Sequence, residues 1–352
     1  MAKNYRLLTE SARVRLNPEN RVLLKAFSDE LSTISYSDVL VYIRTIMKGV
    51  EPEYTQKSKD AGEKVKEHLA KELKDVSFKY QGSVMTDTHI KGYSDIDLLT
   101  ISEKFYSYDA SNIKNILESQ QIRANYYQSA LDKLQKEINN LNYVGNVLDD
   151  LRNLRLDSET ILTKVYSICD KSKPKSIKIN NLSLRREVDI VIANWYDDVS
   201  SIINDKGDNR GIQIYNKDTN SRENADYPFL SIKRINERSS ITGGRLKKMI
   251  RFIKQIKASS DHNIDLSSFD INAICYDINI GEYQNLSFYA LVPIIYNQLT
   301  NIAINDNKAD NLVSVDGREY IFRGKTSKRE NLKKLLAEVE GIFNDLKSIV
   351  RL

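Results

Sequence analysis

The chain reads as an α+β fold in which a small mixed sheet, packed with helices, precedes a C-terminal helical region. Three observations carry that reading. Short apolar runs of β type, at 76–80, around Ile96, at 176–179 and at 187–195, are separated by helical stretches and not by tight hairpins. Leucine and isoleucine recur at helical spacing through residues 106–170. From Leu230 the pattern stays mostly helical to Leu352, interrupted by an Asp316-Gly317 turn inside a short hairpin.

Taken in order, residues 21–31 place Leu23, Leu24, Phe27 and Leu31 on one helical face, and 37–47 form a second helix with Asp38 near its start. Gly49 and Pro52 punctuate the chain after it, and 61–73 form a third helix. Then come the 76–80 strand, a Gly82-Ser83 turn and the Ile96 strand. In the 106–170 block, Leu131, Leu134, Ile138 and Leu141 make one stripe and Leu148, Leu151 and Leu154 another; stripes of this kind are packing faces. The strands at 176–179 and 187–195 close the sheet. The chain shows no internal repeat and no low-complexity linker, so the expected division is a core over 1–229, carrying a helical insertion at 104–170, and a helical lobe over 230–352.

Composition limits the function classes. At 352 residues, 41% hydrophobic and 29% charged, the chain is an ordinary soluble protein long enough for two lobes. Its first residues contain no apolar leader segment, and the longest apolar run, around Phe288, is short and broken by Pro293, which points to a cytoplasmic protein with no membrane partner. Two distant cysteines, Cys169 and Cys275, with three histidines make neither a disulfide framework nor a zinc signature, and both read as small core residues.

The chemistry is concentrated in residues 81–100, where a Gly-Ser turn precedes Asp95-Ile96-Asp97 on an apolar strand. Side chains alternate faces along a strand, so Asp95 and Asp97 share one face while Ile96 and Leu98 enter the core. Two carboxylates so placed can share divalent cations, which take hard oxygen ligands and are completed by substrate phosphates and water. Gln81 and Gly82 end the preceding strand; glycine allows close approach to a phosphate, Ser83 adds a hydroxyl, and the polar segment after it could open a helix whose amides face an anion. Asp189 stands alone in the apolar run Val188 to Ile192, and an acid there is either hydrogen-bonded structurally or bound to metal. The upstream pair favours metal. His89, between turn and acids, reads as structural.

Together these residues resemble the DNA polymerase beta type nucleotidyltransferase superfamily, and within it the cGAS/DncV-like nucleotidyltransferases (CD-NTases) of bacterial CBASS anti-phage signalling. Two later segments add to the resemblance, which covers about 39–276. The stretch 235–254 is similar to the family helix whose Leu-Lys pair reaches the triphosphate, here Leu246-Lys247; 266–275 is similar to its Ser-Ser-aromatic motif, giving Ser268 to phosphate and Phe269 to base stacking. The ring is commonly Tyr in relatives, so Phe269 keeps the stacking surface without the hydroxyl, and its apolar neighbours also allow a core role.

The resemblance implies a polymerase beta-like core with an active-site cleft against the helical lobe, and two Mg2+ or Mn2+ ions per site. One is held by Asp95, Asp97 and Asp189, the other by Asp95 and Asp97. It also implies NTP substrates, ATP among them, and a cyclic di- or trinucleotide product read by a downstream effector, with CBASS accessory proteins as further partners. No zinc-binding insertion is present, which argues against activation by double-stranded DNA. A primer-extending transferase, one that modifies a protein or small molecule, and an inactive nucleotide-binding module stay open; the last is disfavoured because all three acids are kept.

Charge adds little. The net charge is +5, and the basic residues are uneven. Lys247, Arg251 and Lys254 fall together on one flank of a helix, where Arg251 and Lys254 read as a solvated edge. Arg323, Lys325, Lys328 and Arg329 read as a solvated loop. Neither set amounts to a nucleic-acid footprint.

Overall fold

The structure is a computed structural model, and it describes residues 3–17, 37–92, 94–140 and 143–350. The helix expected at 21–31 and Leu141 lie outside these residues. Contacts divide the chain into two compact units. One comprises Lys57–Gly82 and Asp95–Lys233; the other comprises Met1–Gln56, Ser83–Ser94 and Arg234–Leu352. The division is thus drawn differently from a single cut between 229 and 230, because the N-terminal segment and the 83–94 loop group with the C-terminal helices.

The first unit is built on a sheet whose strands are β1 (Val76–Gln81), β2 (Ile96–Tyr108), β3 (Cys169–Asp170), β4 (Ile177–Asn181), β5 (Arg186–Asp197), β6 (Gly211–Asn216) and β7 (Ser221–Arg222). Its order is β1-β2-β5-β4-β3, with β6 paired to β5 and β7 to β6. The β2/β5 pair is parallel and the others are antiparallel, so the sheet is mixed as expected. A parallel pair needs a long crossover, which the helices Ala110–Glu118, Gln128–Ile138 and Val147–Val165 supply. Their stripes pack as the spacing implied: Leu131 and Leu134 join Ile113, Ile116 and Ile202, and Leu151 and Leu154 join Phe105, Ile192 and Tyr215. The block is not helical throughout, since residues 106–108 finish β2 and Cys169 begins β3. Strands β6 and β7 were missed: β7 is two polar residues, and β6 offers only the short alternation Ile212-Gln213-Ile214-Tyr215.

In the second unit the helices Tyr5–Leu16, Asp38–Met47, Arg245–Ser259, Ser268–Tyr276, Leu291–Ile304 and Thr326–Lys347 contribute to one core that includes Ala12, Ile43, Ile250, Ile271, Leu299 and Leu335. Two turn residues act differently from the sequence reading or in line with it. Pro52 starts the helix Pro52–Glu72 instead of separating two helices, because the first helical position needs no N–H. The Asp316-Gly317 turn does close a small hairpin, with Ser314 N donating to Glu319 O at 2.8 Å and Gly317 at φ +80°. Cys275 is buried and Cys169 half-buried, and both are free thiols. Among the described residues no helix is long and apolar enough to cross a membrane.

Candidate active site

The sheet sets four polar residues in one row. Register pairs Gln81 of β1 with Asp97 of β2, Asp97 with Asp189 of β5, and Asp189 with Lys178 of β4. Laterally paired residues point to the same face, so two carboxylates are held side by side while Ile96, Leu98, Val188 and Ile190 are buried. Asp95 lies just ahead of β2 and continues the alternation, half-exposed. Gly82 follows β1 with φ +92°, and a Cβ placed there would sit 2.9 Å from Asp97 Oδ2. Only glycine leaves that carboxylate uncovered.

The electrostatics are those of a negative site short of cations. Burial first, then the Asp189 and Asp95 carboxylates, push the Asp97 carboxyl up to about 7. Burial also raises that of Asp189, against the pull of Lys178 and Lys173. Asp189 Oδ1 is buried and accepts no hydrogen bond; the Lys173 ammonium stands 3.6 Å from it. Asp95 is engaged elsewhere: its Oδ2 accepts from Lys178 Nζ at 2.6 Å. Among the described residues no three His, Cys, Asp or Glu side chains converge as a ready-made ion cage.

Within the second unit, a loop is fixed on a basic helix. Residues 83–87 are turns closed by Thr88 N donating to Ser83 O at 3.0 Å, so the helix start expected after Gly82-Ser83 does not form. The helix Arg245–Ser259 grips this loop: Lys247 pairs with Asp87 Oδ2 at 3.3 Å, Arg251 Nη1 donates to Asp87 O at 2.7 Å, and Lys254 Nζ donates to Thr88 O at 3.2 Å. Arg251 also donates to Met47 O at 2.9 Å. Arg251 and Lys254 are therefore buried, not a solvated edge, and burial lowers Lys254 to about 8 and Arg251 to about 10. His89 is buried as well, its Nε2 3.1 Å from Thr55 Oγ1, and burial brings its ring down to about 4. A cavity of about 220 Å³ in this unit is lined by Ser83, His89, Lys254, Lys257, Leu266 and Ser268.

Comparison with known proteins assigns the family. Residues 63–188 match the nucleotidyltransferase domain model and 233–344 match the cGAS/DncV-like nucleotidyltransferase C-terminal helical domain. The chain is 55% identical over 350 residues, 98% of its length and 99% of the relative's, to a c-di-GMP synthase of Capnocytophaga granulosa. The chain belongs to the cGAS/DncV-like nucleotidyltransferases. A second c-di-GMP synthase, from a Lachnospiraceae bacterium, is 42% identical over 97% of this chain and 99% of its own. Among solved structures, the STING-associated CdnE c-di-GMP synthase of C. granulosa gives a TM-score of 0.80 at 50% identity, covering 99% of this chain and all (100%) of the other. The corresponding Flavobacteriaceae enzyme gives 0.88 at 40% identity, covering 98% and 99%.

Within this CD-NTase, the predicted site residues fall into two sets. Asp95, Asp97, Asp189, Gln81 and Gly82 stand together on the sheet unit. Ser83, Lys247, Ser268 and Phe269 belong to the helical unit, where Ser83 and Ser268 line the same cavity. Ser268 is exposed at the first turn of its helix, next to the capping box formed by Ser267 and Asp270. Phe269 is half-buried against the core. The far basic cluster is a surface as expected, with Arg329 paired to Asp306 and Asp310 and Lys325 to Glu319 at 2.5 Å, but Lys328 and Arg329 lie in the helix Thr326–Lys347 and Lys328 reaches the buried Asp270 at 2.5 Å. Lys178 went unnoticed in the sequence, although Ile177-Lys178-Ile179 alternates as a strand that shows one cation on its polar face.

Proposed function

We propose that this CD-NTase condenses two molecules of GTP into c-di-GMP with release of pyrophosphate. The observation that carries the reading is 55% identity across 98% of the chain to a c-di-GMP synthase. The in-register Asp97/Asp189 pair supports it from the side of chemistry.

The donors suit a divalent cation. They are hard carboxylate oxygens, one of them buried without a hydrogen bond, beside a glycine that leaves Asp97 open. Asp95, Asp97 and Asp189 would hold one Mg2+ or Mn2+, and Asp95 and Asp97 a second; when bound, such ions acidify an acceptor ribose hydroxyl and neutralise a triphosphate. Asp189 Oδ1, free of hydrogen bonds, can take the hydroxyl proton. Gly82 admits phosphate close to the backbone, and Gln81 flanks Asp97 in register. Ser83 and Lys247 bind phosphates by a hydroxyl and an ammonium, with Asp87 holding Lys247 when no nucleotide does. Ser268 and Phe269 receive the nucleotide, the ring stacking on a base. The product then acts on a cyclic-dinucleotide receptor in anti-phage defence, as the STING association of the C. granulosa enzyme suggests.

Purified protein is incubated with each NTP alone and with all four, with Mg2+, with Mn2+ and with EDTA, and the phosphatase-resistant products are identified by mass spectrometry. GTP alone should give c-di-GMP, and EDTA should abolish it. A product that requires ATP, an added primer or another acceptor overturns the proposal.

A further inference from the structure

Lys178 is placed by the fold and not by chance on the surface. It sits on β4 directly across from Asp189 on β5, between the buried Ile177 and Ile179. Its ammonium bonds Asp95 Oδ2 at 2.6 Å and Glu187 Oε2 at 2.7 Å, and lies 4.0 Å from Asp189 Oδ2. One cation therefore touches two of the three candidate ligands. The third, Asp97, has no direct bond to it. While it accepts from Lys178, the Oδ2 oxygen of Asp95 is occupied by an ammonium.

We propose that Lys178 is a positioning residue, a resident counter-cation that holds the acids in a closed, metal-free arrangement and is displaced when a divalent cation enters. The proposal rests on the reading of Asp95, Asp97 and Asp189 as metal ligands. An ammonium a few ångströms from a carboxylate supplies the same kind of attraction as a metal with less charge, so the two compete for Asp95 and repel one another. Binding of the cation then releases Lys178 toward Glu187, its other partner, 2.7 Å away. The acids are thereby kept from repelling each other in the absence of nucleotide and metal.

The test measures Mn2+ binding by electron paramagnetic resonance, and melting temperature in EDTA and in Mn2+, for the wild type, Lys178→Met, Lys178→Gln, Lys178→Arg and the Asp97→Asn/Asp189→Asn double variant. Lys178→Met and Lys178→Gln should bind Mn2+ about tenfold more tightly than the wild type. They should melt lower than the wild type in EDTA, and the gap should close in Mn2+. Lys178→Arg should behave as the wild type. If Lys178→Met and Lys178→Gln fold but bind Mn2+ no more tightly, or lose equal stability in EDTA and Mn2+, Lys178 is only a structural ion pair and the proposal falls. If the double variant binds Mn2+ as the wild type does, the metal-ligand reading itself falls, and this proposal with it.

Discussion

Strand β5 carries one aspartate near each end, and the two are treated in opposite ways. Asp197 is fully buried, and Arg210 binds it through both oxygens at 2.9 Å while Lys206 stands 3.3 Å away. Asp189, in register with another acid on β2, keeps an oxygen with no hydrogen bond and a raised pKa. A structural acid is given every partner it needs before burial is tolerated. An acid left short of partners among other acids marks a site that a ligand completes. The strand supplies both positions; only the neighbours tell them apart.

Replacing both in-register site acids should test that contrast hardest. Asp97→Asn/Asp189→Asn should lower product formation about a thousandfold or more, since each unit of about 1.4 kcal/mol in the barrier is tenfold and metal-held charge supplies several. Its melting temperature in EDTA should hold or rise, because the ionised Asp97 costs stability wherever its folded pKa exceeds its unfolded one. Retained synthesis would remove the acids from the mechanism. Asp197→Asn should do the reverse, losing about 3 kcal/mol of stability in urea unfolding. The folded protein should keep its turnover.

Smaller effects should separate the two basic groups of the helical unit. Lys247→Ala should reduce kcat/KM for GTP tenfold to a hundredfold, corresponding to a charge-assisted contact of about 1.5 to 3 kcal/mol. Lys325→Ala, whose partner Glu319 is exposed, should change kcat/KM less than about twofold. Equal effects would mean that the triphosphate is held elsewhere. Phe269→Ala should raise KM for GTP while Phe269→Tyr stays near the wild type, and a melting curve that collapses for Phe269→Ala would make the ring a core residue instead.

The smallest effect concerns pH. His89 is faced by Asp87, Lys254, Arg251 and Thr55, and its folded value of about 4 lies below its ordinary 6.5. Above pH 6.5 the ring is neutral in both states and costs nothing. As pH falls from 6.5 to 4 the unfolded chain takes up a proton that the buried ring refuses, so stability drops by up to about 1.4 kcal/mol per pH unit. Urea unfolding of the wild type and His89→Gln at about pH 7 and about pH 4.5, on either side of the ordinary imidazole value, checks this: the variant should lose less on acidification. An identical loss in both would assign the acid sensitivity to other groups.

Much of this protein was legible in the chain because local pattern dictates local geometry. Alternation in Asp95-Ile96-Asp97-Leu98 fixed which residues face the core, and an acid inside Val188 to Ile192 had to be answered by something. Helical spacing gave the stripes at 131–138 and 148–154, and the order of the motifs gave the family resemblance. The two-residue polar strand β7 escaped, since pairing with its neighbour and not its own residues makes it a strand, and β6 escaped because its Ile212-Gln213-Ile214-Tyr215 alternation is so short. What tertiary structure alone decided was pairing at a distance. Nothing local says that Asp97 meets Asp189 in register, that Lys178 lies across from Asp189, or that Arg251 and Lys254 spend their charge on the carbonyls of Asp87 and Thr88. A side chain's type and spacing are written in sequence, but whether its charge is satisfied depends on residues far along the chain, and that is settled only when the chain is folded.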